Sequence, residues 1–239
     1  MAIKFGLLII GGYLLGSVPV AYLVAKLVRG IDIRRYGSGN VGAANALRVV
    51  SKWGAIPVLV FDLVKGIIAI WVAQWIGLGT TEQVVIGLAA VIGHNWPVFL
   101  GFNGGRGALT TLGVALFLAP VIAAVLLAMV LIFGLFRQMS VGVILAAAIL
   151  PVCTWFFSQP LGNTEEPLGL SLGFVAILVV MVIRRLAVRR AAIAASISTG
   201  QLLVNRLFFD RDIRDREAWI HRVPDEVSST QQPEKQVKG

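Results

Sequence analysis

Charge is scarce in this chain, and acid is scarcer still. Of 239 residues only 14% are Asp, Glu, Lys or Arg, against about a quarter in ordinary soluble domains. Residues 1–209 hold five acids (Asp32, Asp62, Glu82, Glu165 and Glu166) beside 15 Lys and Arg. The one cysteine, Cys153, lies in an apolar run. It excludes an internal disulfide and a thiolate metal cluster and leaves a packing role. No Gly-Lys-Ser/Thr closes a phosphate loop, and no basic segment is studded with aromatics. Walker-type nucleotide binding and nucleic-acid binding are thereby set aside.

What the chain has instead is apolar length. Hydrophobic residues make up 57% of it, and the mean hydropathy is +0.85. Apolar runs fall at 5–28, 54–77, 83–101, 108–136, 140–158 and 168–183, most near the roughly 20 residues that cross a bilayer. The first is longer than a signal peptide's apolar core and lacks a clear cleavage site, so it reads as a retained span. Thirty residues separate Arg106 from Arg137, with Pro120 near the middle. That is too long for one span and too short for two, and proline interrupts helices.

Charge sidedness decides the matter. Lys26, Arg29, Arg34, Arg35, Arg48 and Lys52 cluster after the first run, and Arg184, Arg185, Arg189 and Arg190 after the last. Both clusters share the cytoplasmic side only if 108–136 is a hairpin of two helices turning near Pro120. The expectation is an all-α polytopic membrane protein of seven helices, some short, with its N-terminus outside and its C-terminus cytoplasmic. Residues 1–190 form the membrane domain. Residues 191–209 read as a helix lying on the membrane face, and 210–239 as a polar, disordered tail.

Three segments carry candidate chemistry. GSGNVGAANALR, Gly37 to Arg48, packs Gly37, Gly39 and Gly42 with Ser38, Asn40 and Asn45. Such a backbone, closed by the Arg48 guanidinium, suits a phosphate; a plain solvated loop is the alternative. The letters G-x-G-x-x-G occur in it, but an apolar helix precedes them and Asp62 lies inside the next span, so a dinucleotide fold does not fit. GHNWPVFLGFNGGRGALTT, Gly93 to Thr111, repeats the pattern: His94, then Gly104, Gly105 and Gly107 around Arg106. Taken alone, a histidine at a helix end is more often a structural hydrogen-bond partner. Asp62 and Lys65 lie three apart within a span, on one helix face. Asp62 either orients a basic site residue or neutralises Lys65. Gly16-Ser17-Val18-Pro19 marks a soft spot in the first span, with close helix packing its main reading.

In this order, YLLGSVPVAYLVAK, RGIDIRRYGSGNVGAANALR, FDLVKG, GHNWPVFLGFNGGRGALTTLG and MSVGVILAAAILP resemble the bacterial acyl-phosphate:glycerol-3-phosphate acyltransferases of the PlsY type. The resemblance spans about residues 13–151. It implies transfer of a fatty acyl group from acyl phosphate to the 1-hydroxyl of glycerol 3-phosphate, without a cofactor. The products are lysophosphatidic acid and phosphate. It further implies that Ser38, Arg48 and Arg106 carry the chemistry. Gly37, Gly39, Asn40, Gly42, Asn45, His94, Gly104, Gly105 and Gly107 would hold phosphate, with Asp62 and Lys65 in support. It places the protein in the bacterial inner membrane, its site facing the cytoplasm, coupled to an enzyme that makes acyl phosphate. Its partners are the two substrates and membrane lipid, with no nucleic acid and no metal.

Four departures from the family pattern stand out. Ala44 replaces a usual threonine, Asn103 a usual basic residue and Arg106 a usual lysine, and the His-x-x-Asn signature after the last span is missing. Two other readings follow: a weakened relative that binds glycerol phosphate, and a membrane carrier for phosphorylated metabolites.

Overall fold

A computed structural model describes residues 2–162 and 165–220; His221 and the rest of the predicted tail lie outside them. Every regular element among the described residues is helical. The first apolar run is split into α1 (Ala2–Ser17) and α2 (Val20–Arg29). Pro19 has no N–H to continue α1, and Val20 N–H turns to Val18 O at 3.2 Å. The carbonyl of Gly16 thereby loses its usual helical partner.

After α2 come the short α3 (Ala43–Val49), the long α4 (Lys52–Trp75) and α5 (Thr80–Asn95). Then follow α6 (Ala108–Leu118), α7 (Pro120–Leu135), α8 (Met139–Phe157) and α9 (Pro167–Leu186). Five helical stretches are long and apolar enough to cross a membrane, and α6 and α7 are shorter apolar helices. Pro120 opens α7 at its first position, where a missing N–H costs nothing.

Side-chain contacts sort the loops to two ends of the bundle. At one end Thr81 meets Glu166. At the other, Arg34 donates to Leu100 O, Arg106 to Arg184 O and Arg185 to Ser140 O. The residues flanking the α6–α7 pair therefore lie at the same end, so 108–135 goes out and returns.

Small residues bring the helices close, as expected where lipid gives no hydrophobic drive for helix association. A Cβ on Gly16 would sit 2.1 Å from Ala90 O, and one on Gly93 2.1 Å from Tyr13 O. Gly66 and Gly113 do the same between α4 and α6. The main core gathers Val84, Val91, Val114, Phe174, Ile177 and Met181. Leu7, Trp71, Val125, Leu131 and Leu172 remain exposed, which suits a lipid-facing surface.

The segment after α9 departs from expectation. Residues 191–220 do not form one surface helix followed by a loose tail. They fold into a cap with α10 (Thr199–Val204), a π-helical turn at Asn205–Phe209 and α11 (Arg216–Ile220). Ala194, Leu202, Ile213 and Trp219 form its apolar centre. Asp212 ties it together, accepting from Arg206 Nε at 2.7 Å and from Ala191 N–H at 2.8 Å. Arg185 donates to Leu207 O and Arg206 to Leu186 O, which pins the cap to the end of α9. The alternation of charge and apolar residues in RDIRDREAWI reads as polar tail; Asp212 and Glu217 meet arginines, and Asp215 caps the start of α11 through Glu217 and Ala218 N–H.

Candidate active site

The first glycine loop is shaped by one side chain. Asn45, on α3, is fully buried. Its Oδ1 accepts from Ser38 N–H at 3.0 Å, and its Nδ2 donates to Ile33 O and Tyr36 O. Gly37 and Gly39 take φ of +58° and +70°, values that glycine adopts without strain. A Cβ on Gly37 would lie 2.4 Å from Asn45 Oδ1. Asn45 therefore builds the loop, with both ends of its amide spent on backbone groups of the same segment. The backbone is also less bare than the glycines suggest. Gly39 N–H goes to Tyr36 O and Asn40 N–H to Ser38 Oγ. The half-buried Ser38 hydroxyl and the Asn40 side chain remain as polar groups of the loop. Asp32 clamps the approach to it through Arg34, 2.6 Å away. That guanidinium holds the Asp32 carboxyl below its ordinary range.

The second loop packs directly on the first. Gly104 and Gly105 N–H donate to Asn95 O and His94 O at the end of α5, so these amides are not free for phosphate either. Their glycines serve close approach instead. A Cβ on Gly105 would sit 2.0 Å from His94 Nε2 and 2.8 Å from Val41 O. Gly107, at φ +75°, starts α6. Arg184, on α9, holds the whole turn: Nε donates to Gly105 O, and Nη2 to Gly104 O and the Asn103 side chain. In the sequence Arg184 belongs to a basic cluster that reports only topology; no spacing marks it as the keeper of this loop.

Asp62, Lys65 and His94 meet in the interior beneath the seam. Lys65 Nζ is 2.7 Å from Asp62 Oδ1 and 2.7 Å from His94 Nδ1. Asp62, His94, Ser17, Pro19, Val41 and Gly104 line a narrow cleft there. Asp62 pairs with Lys65, and Lys65 in turn reaches His94.

The two arginines face different neighbours. Arg106 is not a free cation: its Nε lies 2.6 Å from Asp210 Oδ1 of the cap, and Nη1 donates to Arg184 O. Nη2 carries no hydrogen bond among the described residues. Arg48 has no carboxylate partner among the described residues. It borders an open cleft with Tyr36, Gly37, Arg216 and Glu217. Partial burial and the nearby Arg216 guanidinium push its pKa below the ordinary arginine value.

A family model described as glycerol-3-phosphate acyltransferase matches residues 6–195. This chain belongs to the glycerol-3-phosphate acyltransferase family. Among its relatives, "Glycerol-3-phosphate acyltransferase 4" of Dehalococcoides mccartyi (strain CBDB1) is 46% identical over 222 residues, covering 93% of this chain and 95% of the relative. The "Glycerol-3-phosphate acyltransferase" of Halalkalibacterium halodurans is 44% identical over 163 residues, with coverage of 64% and 78%. Among solved structures, the crystal structure of PlsY (YgiH), an integral membrane glycerol 3-phosphate acyltransferase, in its glycerol 3-phosphate form, superposes with a TM-score of 0.67. It is 33% identical, covering 76% of this chain and 88% of that one. Both glycine loops of this family member lie inside the matched stretch. Most of the cap, including Asp210 on Arg106, lies beyond its end at residue 195.

Proposed function

We propose that this chain transfers a fatty acyl group from an acyl phosphate to the 1-hydroxyl of sn-glycerol 3-phosphate. The hydroxyl oxygen attacks the acyl carbon, and the bond from that carbon to the phosphate oxygen breaks. The hydroxyl proton passes to the departing phosphate. Lysophosphatidic acid and inorganic phosphate leave. The observation that carries this reading is the seam where Val41 of one glycine loop meets Gly105 of the other, in a chain of this family.

An acyl phosphate is an activated mixed anhydride, so the site's work is alignment and charge neutralisation. In this reading Ser38 and Asn40 bind beside the reacting centre. Gly37, Gly39 and Gly42 give the first loop its shape, and Asn45 locks it. Arg48 is the available cation for phosphate, and Arg106 offers Nη2. Gly104, Gly105 and Gly107 let the second loop close on His94. No cofactor enters the balance. The loops sit at the end of the bundle that carries the basic clusters, which the positive-inside rule assigns to the cytoplasm. A bacterial inner-membrane enzyme placed so would receive acyl phosphate from a soluble or peripheral enzyme that makes it.

The test is turnover by the purified full chain. Palmitoyl phosphate and glycerol 3-phosphate should yield lysophosphatidic acid and inorganic phosphate in equal amounts, with palmitoyl-CoA inactive as donor. Glycerol 3-phosphate counterflow in liposomes without acyl transfer would overturn the reading in favour of a carrier.

A further inference from the structure

The hydrogen count around Lys65 fixes the chemistry of His94. An ammonium carries three hydrogens and no lone pair. Lys65 Nζ, almost fully buried, has three acceptors: Asp62 Oδ1 at 2.7 Å, His94 Nδ1 at 2.7 Å and Gly16 O at 3.2 Å. The third is available because the α1–α2 break sends Val20 N–H to Val18 O. Each hydrogen thus has one destination, and His94 Nδ1 receives one. A neutral imidazole that accepts at one nitrogen carries its hydrogen on the other. Asp62 Oδ1 also approaches the same Nδ1, but at 3.4 Å, against 2.7 Å for Lys65 Nζ, so the ammonium is the nearer partner.

Nε2 makes no hydrogen bond among the described residues. It lies at the seam, close against Gly105, where a Cβ would sit 2.0 Å from it, and His94 lines the narrow cleft with Val41 and Gly104. We infer that His94 is a hydrogen-bond donor of fixed tautomer, presenting Nε2–H to a phosphoryl or acyl oxygen of the substrate, and not a general base. Asp62 and Lys65 are positioning residues that act through it. The inference rests on the acyl-transfer reading of this site. It also explains the soft spot in the first span: Gly16 and Pro19 release a carbonyl that completes the ammonium's shell.

Two side chains separate a donor at the Nε2 position from one at Nδ1. The His94→Gln amide reaches the Nε2 position, whereas His94→Asn stops near Nδ1. His94→Gln should keep turnover within about tenfold, while His94→Asn and His94→Ala lose about 100-fold or more, the loss typical of one oxyanion donor. A general base would fail equally in all three, since no amide accepts a proton near neutrality. Equal loss in His94→Gln and His94→Asn overturns the inference.

A second readout needs no catalysis. In the full chain, with His221→Gln removing the other histidine, nitrogen-15 spectra of His94 should show hydrogen on Nε2. That resonance should move when glycerol 3-phosphate or palmitoyl phosphate is added. Hydrogen on Nδ1, or no response to either substrate, overturns the inference. If the unmodified protein transfers no acyl group while the resonance behaves as expected, the functional reading falls and the donor assignment stands.

Discussion

Lys65→Met should remove about 3–5 kcal/mol of stability, the cost of stranding a buried charge by deleting its partner. Asp62 and Lys65 have side chains only 4% and 1% exposed. Methionine fills much the same volume, so the loss is electrostatic and not a cavity. Three acceptors lose their donor together: the Asp62 carboxylate, the Gly16 carbonyl and His94 Nδ1. The double variant Asp62→Asn with Lys65→Met should recover part of the loss, because no unpaired charge remains. Thermal unfolding in detergent, followed by tryptophan fluorescence, measures both. An unchanged melting temperature in the single variant would mean that water reaches this cluster freely.

Arg48→Ala should leave the fold intact and depress catalysis. Its guanidinium has no ion pair to lose among the described residues and stands at an open cleft. Its removal should therefore shift the melting temperature little. In the proposed role, a cation beside a phosphate whose charge grows as the acyl bond breaks contributes about 2.7–4 kcal/mol, or roughly 100- to 1000-fold in kcat/KM. Arg48→Lys should recover only part, because a point charge replaces a planar fork. Steady-state kinetics with palmitoyl phosphate and glycerol 3-phosphate give the comparison. Near-normal turnover in Arg48→Ala would move the phosphate seat to Arg106 Nη2 or to the cap's Arg216.

The membrane architecture was legible in the sequence because it depends on length and charge, and both are one-dimensional. Pro120 and the basic cluster after the last apolar run led to a hairpin, and the structure returns residues 106 and 140 to the same end of the bundle. The glycine loops were legible as places of close approach. Which groups remain free within them was not, because that depends on partners brought from elsewhere. Asn45 turns inward to its own loop, and the amides of Gly104 and Gly105 turn back to α5. Arg184 and Asp210 were invisible for the same reason. One is 79 residues from the Gly105 carbonyl it holds, and the other sits in a stretch whose composition reads as disordered. Periodicity reports which face of a helix is buried; it does not report which arginine a distant carboxylate will meet.

The cap also revises the electrostatics of the site. Sequence reasoning named Arg48 and Arg106 together, with Ser38, as the residues that carry the chemistry. With Asp210 on Arg106, the pair is no longer symmetrical. Arg106 is engaged by the Asp210 carboxylate and the Arg184 carbonyl, whereas Arg48 makes no ion pair among the described residues.

A single labelling measurement addresses both where the substrate sits and which face of the membrane it enters from. Ser38→Cys is made in a Cys153→Ser background, so that position 38 carries the only thiol. A membrane-impermeant maleimide is then applied to inside-out and right-side-out vesicles. The account predicts labelling in inside-out vesicles alone, slowed by glycerol 3-phosphate. Labelling from the opposite face, or labelling that glycerol 3-phosphate leaves untouched, would contradict it.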